Sequence, residues 1–424
     1  MLTPFLIPLL IPFRTLPTLA VRGAPVATLT ILIAMLTACQ TSPPAPPVAP
    51  PVHPTLPLST EQHVPTQASY KLLDYSAIPG WKEDKLNEAL PAFQASCKVL
   101  ERKSDWMEIC HIAKTVDSND PVATRKFFEA FFNPYQIINP DGTQTGLITG
   151  YYEPLLRGAR KRGGLFQTPL YSTPSDLLSV ELSSVYPELK GMRLRGKLSG
   201  NKVIPFPARA ELLKSGELTG KEICWVDDSV DAFFLQVQGS GRVKLADSKE
   251  TIRLAYADQN GYPYKSIGRY LVDKGELKLE QASAQSIKSW ILANPTRHDE
   301  VLNSNPSYVF FKEEKLADPK QGPKGSLGVA LTEKRSIAID TQFIPMGIPV
   351  FLDTTEPNKS TPLQRLMIAQ DTGGAIRGAV RADFFWGFGD VAAEMSGRMK
   401  QRGMLWILWP KLAKIAPEAA VTGR

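Results

Sequence analysis

The sequence predicts a mainly β protein that begins with a group of helices. Apolar residues recur every three or four positions through residues 82–133, which is the spacing of one face of an α-helix. From about residue 146 the pattern changes to short alternating runs separated by Gly, Pro, Asn and Asp, as in β-strands joined by turns. After the Pro-rich N-terminal stretch about 350 residues remain, enough for two domains or for one large domain with an insertion.

Two features locate the N-terminal helices. The first is an apolar stripe at helical spacing, whose members are Leu86, Leu90, Phe93, Cys97 and Leu100. The second is Asp120-Pro121, because Asp is a favoured N-cap and Pro is favoured at the first helical position. A helix should therefore begin there and continue through Phe128 and Phe131, with its apolar face in the core.

The remaining elements follow from runs of β pattern and from short helical stretches. Strands are predicted at 147–152, 233–238, 241–245, 251–256, 308–311, 337–339, 349–352, 366–369 and 405–408. Short helices are predicted at 209–214, 266–272 and 282–292, and a Pro- and Gly-rich loop at 316–326.

Residues 1–38 have the pattern of a signal peptide. Residues 23–38 carry no charge and are mostly apolar, but the run is shorter than the roughly 20 residues that a membrane span needs. It ends in Leu-Thr-Ala-Cys, which resembles a bacterial lipobox and predicts that Cys39 is lipidated. The alternative is an ordinary signal peptide followed by an incidental cysteine.

Residues 39–66 are predicted to form a lipidated, Pro-rich tether. The stretch from Gln40 to Pro54 cannot form a core and should be an extended spacer. Because Gln rather than Asp follows Cys39, the pattern favours the outer membrane over the inner membrane. We expect a protein that is anchored to the outer membrane by its lipid and faces the periplasm.

Charge and cysteine content narrow the classes of partner. The formal net charge is +7 and falls by two without Arg14 and Arg22, which would suit an anionic wall polymer but also simple solubility. No basic run with interleaved aromatic residues appears, so nucleic acid is not an expected partner, and neither a metal site nor a cofactor is predicted. Cys97 and Cys110 lie in neighbouring helical patterns of an exported chain and are predicted to form a disulfide.

Three aspartates in the C-terminal third are the main candidates for catalysis. Asp340, Asp371 and Asp383 each lie among apolar residues of strand type, and a Gly-Gly turn follows Asp371. Burial among apolar groups raises the pKa of a carboxyl, which can then stay protonated and act as a general acid. A single aspartate of this kind is more often a cap or turn residue, but three together indicate an active site.

The segments around these aspartates resemble the three-aspartate domain of the membrane-bound lytic murein transglycosylase A family. The matching stretches are residues 335–340, 344–347, 369–378 and 382–387. Four further stretches match the same family in order: Thr149-Gly150-Tyr151-Tyr152-Glu153-Pro154, Val237-Gln238-Gly239-Ser240-Gly241, residues 260–268 and residues 305–311. The resemblance covers residues from about 80 to 410, which is nearly all of the folded chain.

The resemblance implies a fold and a reaction. It implies a double-psi β-barrel catalytic domain with N-terminal helices, formed by residues 67–154 plus 313–424, and a smaller β-barrel domain inserted at 155–312, with the substrate groove between them. The implied reaction cleaves the β-1,4 bond between N-acetylmuramic acid and N-acetylglucosamine of peptidoglycan and forms 1,6-anhydro-N-acetylmuramic acid without water. Asp383 matches the family's catalytic acid and base, while Asp371 and Asp340 match supporting aspartates.

Candidate substrate contacts lie in these motifs or close to them. They are Tyr151, Gln236, Gln238, Gly239, Ser240, Tyr256, Gly373 and Gly374. On the predicted strand 233–238 both glutamines would share one face and could bind sugar hydroxyls or N-acetyl groups. Candidates for stacking on sugars are Tyr151, Tyr152, Tyr256 and Trp386, although an aromatic residue in a strand is more often part of the core. The glycines could permit close approach to a sugar or simply make tight turns.

Two other functions compete with the lytic transglycosylase. One is a hydrolytic glycosidase that uses Asp383 with Asp371 as a pair of carboxylates. The other is a non-enzymatic, lipid-anchored protein that binds the wall. All three expect peptidoglycan glycan strands and a membrane as partners, and proteins of wall synthesis are further candidates. Glu153 is interpreted as a variable position rather than a catalytic carboxylate.

Overall fold

The computed structural model describes residues 67–189, 192–316, 318–357, 359–414 and 416–417. The predicted signal peptide and the predicted tether with Cys39 lie outside these residues. The fold is mainly β-sheet with several helices, as the sequence predicts. Within the described ranges, no helix combines the length and the apolar character that crossing a membrane requires.

The elements are numbered in chain order. The strands are β1 (Ser69–Leu72), β2 (Phe132–Ile138), β3 (Gly146–Glu153), β4 (Leu155–Ala159), β5 (Thr168–Tyr171), β6 (Leu178–Ser179), β7 (Arg195–Ser199), β8 (Lys202–Pro205), β9 (Glu222–Val226), β10 (Ser240–Leu245), β11 (Thr251–Gln259), β12 (Val309–Glu314), β13 (Ser336–Ile339), β14 (Pro349–Thr355), β15 (Pro362–Asp371), β16 (Ala382–Phe388) and β17 (Lys400–Pro410). The helices are α1 (Leu90–Leu100), α2 (Ser104–Ala113), α3 (Pro121–Phe131), α4 (Arg209–Ser215), α5 (Ser229–Gln238), α6 (Ile267–Asp273), α7 (Ala284–Ala293), α8 (His298–Asn303) and α9 (Asp390–Arg398).

The largest sheet combines strands from both ends of the described chain. Among the described residues it has eight strands in the order β1-β2-β17-β14-β15-β13-β16-β3, and β17 pairs with β3 as well. Most neighbours are antiparallel, but β13 pairs with β15 and β16 pairs with β3 in parallel. These parallel pairs bring residues that are far apart in sequence to adjacent positions.

The N-terminal helices pack beside this sheet. The ring of Phe93 on α1 lies 5.9 Å from that of Phe128 on α3 and 5.8 Å from that of Phe132 at the start of β2. The predicted cap of α3 is confirmed, since the Asp120 side chain accepts hydrogen bonds from the backbone N–H groups of the first turn. In the structure a disulfide joins Cys97 on α1 to Cys110 on α2, with their Cα atoms 5.2 Å apart.

The middle of the chain forms two further sheets. The described residues give one sheet with the order β12-β11-β10-β4-β9-β5 and a smaller one with the order β6-β7-β8. Helices α5 to α8 pack around a second apolar cluster, in which Val230 and Phe233 of α5 contact residues of α6, α7 and α8.

The predicted strand at 233–238 is wrong, because these residues form the C-terminal part of α5. Asp228 caps the helix by accepting hydrogen bonds from two backbone N–H groups, and Gly239 ends it with a φ of 81°. A six-residue apolar window does not separate a buried helix from a strand, and here the flanking cap residues decide. Gln236 and Gln238 are therefore about 200° apart around a helix instead of on one strand face.

Candidate active site

A row of four residues on neighbouring strands of the large sheet forms the centre of the site. Ala338 on β13 is paired with Asp371 at the end of β15 on one side and with Asp383 on β16 on the other. Asp383 is in turn paired with Thr149 on β3. Since neighbouring strands are about 4.8 Å apart, the backbones of the two aspartates are separated by roughly 10 Å. The small side chain of Ala338 leaves space between their carboxyl groups.

Asp383 has the environment of a proton donor. Its burial raises the pKa of the carboxyl above the ordinary value, while the Thr149 hydrogen bond and the charge of Arg381 oppose the rise and the charge of Asp371 adds to it. The Thr149 hydroxyl donates to Oδ1 of Asp383 at 2.6 Å. No other described residue hydrogen-bonds to the Asp383 carboxyl, so Oδ2 is free to meet a substrate.

Thr149 is itself held by Arg381. Nη2 of Arg381 donates to the Thr149 hydroxyl oxygen at 2.9 Å, which leaves the Thr149 hydrogen directed at Asp383. Nη1 of Arg381 donates to the backbone oxygens of Leu147 and Ala382, and these bonds fix the guanidinium. Neither Thr149 nor Arg381 was predicted as a partner of Asp383. Thr149 lies in one of the family motifs, but only the pairing of β16 with β3 brings it next to Asp383.

Both carboxylate oxygens of Asp371 accept hydrogen bonds, which hold the carboxylate in one orientation. Its Oδ1 accepts hydrogen bonds from the backbone N–H of Ser326 at 2.9 Å, the Ser326 hydroxyl at 2.8 Å and the backbone N–H of Thr372 at 2.9 Å. Its Oδ2 accepts from the Tyr151 hydroxyl at 3.1 Å. Burial raises the pKa of Asp371, and these hydrogen bonds limit the rise.

The structure gives Tyr151 a different position from the predicted sugar-stacking one. Its side chain is buried, with the ring 5.1 Å from that of Phe385, and its hydroxyl contacts Asp371. Burial and the nearby Asp371 raise its pKa, so the phenol stays a donor. A stacking platform needs a ring face that is open to solvent, and the ring of Tyr151 is almost completely covered. Trp386 is likewise buried, with Nε1 against the sulfur of Met399.

Asp340 holds a turn beside the site. It is 1% exposed, and its carboxylate accepts hydrogen bonds from the backbone N–H groups of Gln342 and Gly378 at 3.1 and 2.9 Å. Gly378 has a φ of 116°, which L-residues with a side chain rarely adopt. Asp340 thus fixes the return of the loop that connects Asp371 to β16, and this agrees with a supporting role.

Glu153, which the sequence analysis interpreted as variable, is a buried ion-pair partner. Nε of Arg253 lies 2.6 Å from one carboxylate oxygen and Nη2 of Arg242 lies 2.8 Å from the other. The same two arginines donate to the backbone oxygens of Pro319 and Gln321. Glu153 therefore anchors the loop that presents Ser326 to Asp371. An acidic residue inside a buried strand, with arginines inside two others, is the signal that could have revealed it.

A cleft of about 1130 Å³ opens over this row and has walls from both large sheets. One wall carries Thr149, Asp371 and Asp383, and the opposite wall carries residues of the middle of the chain. Of the predicted substrate contacts, those that line the cleft are Tyr151, Gln236, Gln238, Gly239, Tyr256, Gly373 and Gly374. Ser240 belongs to β10 and does not line it. The part of the chain that the structure describes has no group of His, Cys, Asp or Glu fit to hold a metal ion.

Three of the lining residues differ in what they can offer a ligand. Gln236 is buried, and its carbonyl oxygen accepts from Arg209 at 2.6 Å, so it supports the wall. The carbonyl oxygen of Gln238 accepts from the backbone N–H of Tyr152 at 3.1 Å, which fixes the amide at the cleft. Tyr256 is 36% exposed and is the predicted platform that presents its ring to solvent.

Comparison with known protein families finds two matches. Residues 147–312 match the family described as "MltA specific insert domain", and residues 335–409 match the "3D domain". The first match begins inside β3, a strand of the large sheet, and runs to β12. The second contains β13 to β17 and all three candidate aspartates.

Individual relatives cover most of the chain. Membrane-bound lytic murein transglycosylase A of Escherichia coli (strain K12) is 33% identical over 304 residues, which are 70% of this chain and 73% of that protein. The crystal structure of MltA from Neisseria gonorrhoeae is similar with a TM-score of 0.71 and 37% identity, covering 82% of this chain and 94% of the other. A structure of E. coli MltA with bound chitohexaose is similar with a TM-score of 0.61 and 25% identity, covering 83% and 97%.

Proposed function

Because the chain belongs to the membrane-bound lytic murein transglycosylase A family and is a lytic transglycosylase of peptidoglycan, we propose that Asp383 is its single acid and base. The bond cleaved is the β-1,4 bond between N-acetylmuramic acid and N-acetylglucosamine, and the product ends in 1,6-anhydro-N-acetylmuramic acid. The observation that carries this proposal is the carboxyl of Asp383, whose pKa is raised by burial and whose Oδ2 is free among the described residues.

The reaction needs two proton transfers at one carboxyl. Protonated Asp383 gives its proton to the glycosidic oxygen as the bond to the anomeric carbon breaks. The 6-hydroxyl of the same muramic acid residue attacks that carbon, and the Asp383 carboxylate accepts the hydroxyl proton. No water is consumed and Asp383 ends protonated. Because the attack is intramolecular, its effective concentration is high and a second nucleophile is unnecessary.

The other two aspartates position the site. Asp371 is engaged by Ser326, Thr372 and Tyr151, so it holds the cleft wall in place and adds negative charge that favours a protonated Asp383. These contacts also weigh against the hydrolytic alternative. A base that activates water needs an accessible lone pair, whereas Oδ1 of Asp371 already accepts three hydrogen bonds and Oδ2 accepts one from the buried Tyr151.

The cleft is proposed to bind the glycan strand. The structure of the E. coli relative with chitohexaose supports a β-1,4-linked amino sugar as ligand. On this chain Gln238, Gly239 and Tyr256 form one wall and Gly373 and Gly374 lie beside Asp371 on the other. The amide of Gln238 suits sugar hydroxyls or N-acetyl groups, and the exposed ring of Tyr256 suits the apolar face of a sugar.

Further proposals concern the domain architecture, the location and the partners of the protein. We propose a double-psi β-barrel for residues 67–154 plus 313–424 with an inserted domain at 155–312, supported by one sheet from β1–β3 with β13–β17 and separate sheets from β4–β12. We propose lipidation at Cys39 and outer-membrane anchoring, supported by the Leu-Thr-Ala-Cys pattern and by the relatives described as membrane-bound. Proteins of wall synthesis are proposed as further partners.

Product analysis of two proteins tests the mechanism. Wild type should release fragments that end in the anhydro sugar, each one water lighter than a hydrolytic product, as read by mass spectrometry of digested peptidoglycan. Asp383→Asn should keep glycan binding and lose activity by at least 100-fold, because general acid and base catalysis is worth roughly 10²–10⁴-fold. Reducing-end fragments from wild type, or robust turnover by Asp383→Asn, would refute the assignment.

A further inference from the structure

A second cavity contains a serine, a histidine and an aspartate in hydrogen-bonded sequence. The Ser229 Oγ lies 2.6 Å from Nε2 of His298, and Nδ1 of His298 lies 2.7 Å from Oδ1 of Asp299. Ser229 begins α5 and His298 begins α8, so the packing of two helices brings them together. None of the three residues lines the cleft of Asp383.

The hydrogen bonds define the tautomer of the histidine. An ionised Asp299 only accepts, so Nδ1 of His298 carries the proton and Nε2 is left as the acceptor of the Ser229 hydroxyl. This is the arrangement in which an imidazole removes a serine proton, and such a triad is recognised by geometry and not by position in the chain. The His298 side chain is 29% exposed and that of Asp299 is 87% exposed, so Asp299 orients the ring from the solvent side.

The cavity beside the serine has a volume of about 220 Å³. Its apolar wall includes Leu213, Phe233 and Leu302, and its size suits a group of a few carbon atoms. Such a space, smaller than the usual 300–1,000 Å³ of a drug-sized ligand site, fits a short acyl chain.

Arg209 supplies positive charge to the same cavity. Its guanidinium is buried between the rings of Phe233 and Tyr308 at 4.7 and 4.9 Å, and it lines the cavity. Its hydrogen bonds, to Asn305, Gln236 and Ser307, run from Nε and Nη2, and no carboxylate among the described residues pairs with it. The first N–H groups of α5 are occupied by Asp228, so Arg209 is the group suited to a developing oxyanion.

We propose that Ser229, His298 and Asp299 form a second catalytic site that hydrolyses short-chain acyl esters. Oγ of Ser229 bonds to the ester carbonyl carbon while its proton passes to Nε2 of His298. The bond from that carbon to the alcohol oxygen breaks, and the imidazolium protonates the leaving alcohol. Water then repeats the sequence on the acyl-serine: its proton goes to His298, its oxygen bonds to the carbonyl carbon, and Ser229 departs with the proton. The net reaction is ester plus water to acid plus alcohol.

Covalent labelling of the wild-type protein tests the nucleophile without any variant. A fluorophosphonate should attach to the intact protein, and mass spectrometry of its peptides should place the adduct on Ser229. With p-nitrophenyl acetate and butyrate, wild type should show saturable hydrolysis. Labelling at another residue, or no labelling under conditions that label a serine hydrolase, would overturn the proposal.

Three variants test the assignment of roles. Ser229→Ala should lower kcat/KM for both esters by at least about 100-fold and abolish labelling, while its peptidoglycan turnover stays at the wild-type level. His298→Gln, which can still bond to Ser229, should lose nearly as much, and Asp299→Asn should lose less. Ser215→Ala is the matched control, since this exposed serine makes only local backbone contacts: its hydroxyl donates to the backbone oxygen of Leu212 and accepts from the backbone N–H of Glu217. Ester hydrolysis by Ser229→Ala at the wild-type rate would show that the three residues only join α5 to α8.

Discussion

Replacing Thr149 by valine isolates the hydrogen bond that tunes Asp383. Valine keeps the shape of the side chain but removes the donor at 2.6 Å from Oδ1. This donor stabilises the ionised carboxylate, so its removal raises the pKa of Asp383 further. A hydrogen bond to a charged group is worth about 1.5–3 kcal/mol, and one pKa unit corresponds to 1.36 kcal/mol. Because Asp383 is only half-buried, we expect the low end of this range, so that Thr149→Val raises the pKa of Asp383 by about one unit.

The expected kinetic effect follows from the role of Asp383. In the proposed mechanism the protonated form of Asp383 enters the reaction, so the alkaline limb of the pH profile of kcat/KM should report the pKa of Asp383 in the free enzyme. In Thr149→Val this limb should move upward by about one pH unit. Loss of one orienting contact should also lower kcat by roughly tenfold, or about 1.4 kcal/mol of barrier.

Anhydro-muropeptide release at a series of pH values measures both effects. Thr149→Ser is the matched control, because it keeps the hydroxyl and should keep the wild-type profile. Arg381 should not replace the lost donor, since its Nη1 bonds to the backbone hold it in place. An alkaline limb in Thr149→Val that stays at the wild-type position or moves downward would refute the reasoning.

The other predictions concern stability and location. Glu153→Gln removes the charge partner of two buried arginines and should cost about 3–5 kcal/mol in the free energy of unfolding, measured by denaturant titration, with activity reduced even where the protein is folded. Asp383→Asn should raise Tm at pH 7, because burial raises the pKa of Asp383 in the folded state and ionising this carboxyl therefore lowers the stability of the wild-type protein. The gain in Tm should vanish as the pH falls towards the pKa of the unfolded state, near 3.9, and a gain that grows in acid would contradict the prediction. Cys39→Ala should move the protein from the membrane to the soluble fraction on cell fractionation, and unchanged fractionation would count against lipidation.

The three candidate aspartates could be singled out from the sequence because local pattern carries their signal. Apolar strand residues surround Asp371 and Asp383, and the same motifs carry the family resemblance. Thr149, Arg381 and Ser326 were not predicted as partners, because strand register and a loop anchored from another sheet bring them to the carboxylates. Local pattern does not contain these pairings.

The error at α5 has a different cause. Six mainly apolar residues fit a strand and a buried helix equally well, and the cap at Asp228 and the left-handed Gly239 lie outside that window. This error affects the candidate site, because on a helix the two glutamines point in different directions. Gln236 bonds to Arg209 within the wall of the cleft, whereas Gln238 lies at the cleft surface. A secondary-structure error of one element thus altered which amide could meet a substrate.

The residues that set the pKa of Asp383 and the residue proposed to bind the sugar lie on different sheets, and one substitution tests whether they act independently. The groups that set the pKa of Asp383 lie on the large sheet, whereas Tyr256 lies on β11 of the other sheet, across the cleft. Tyr256→Ala removes an exposed ring without touching Thr149, Arg381 or Asp371. It should raise KM for glycan strands by roughly 5- to 30-fold, as for the loss of about 1–2 kcal/mol of ring contact, and leave the pH profile of kcat unchanged. Tyr256→Phe should keep the wild-type KM, because in the proposed binding mode the apolar face of the ring contacts the sugar. A shifted pH profile in Tyr256→Ala would mean that the two walls act together on the acid.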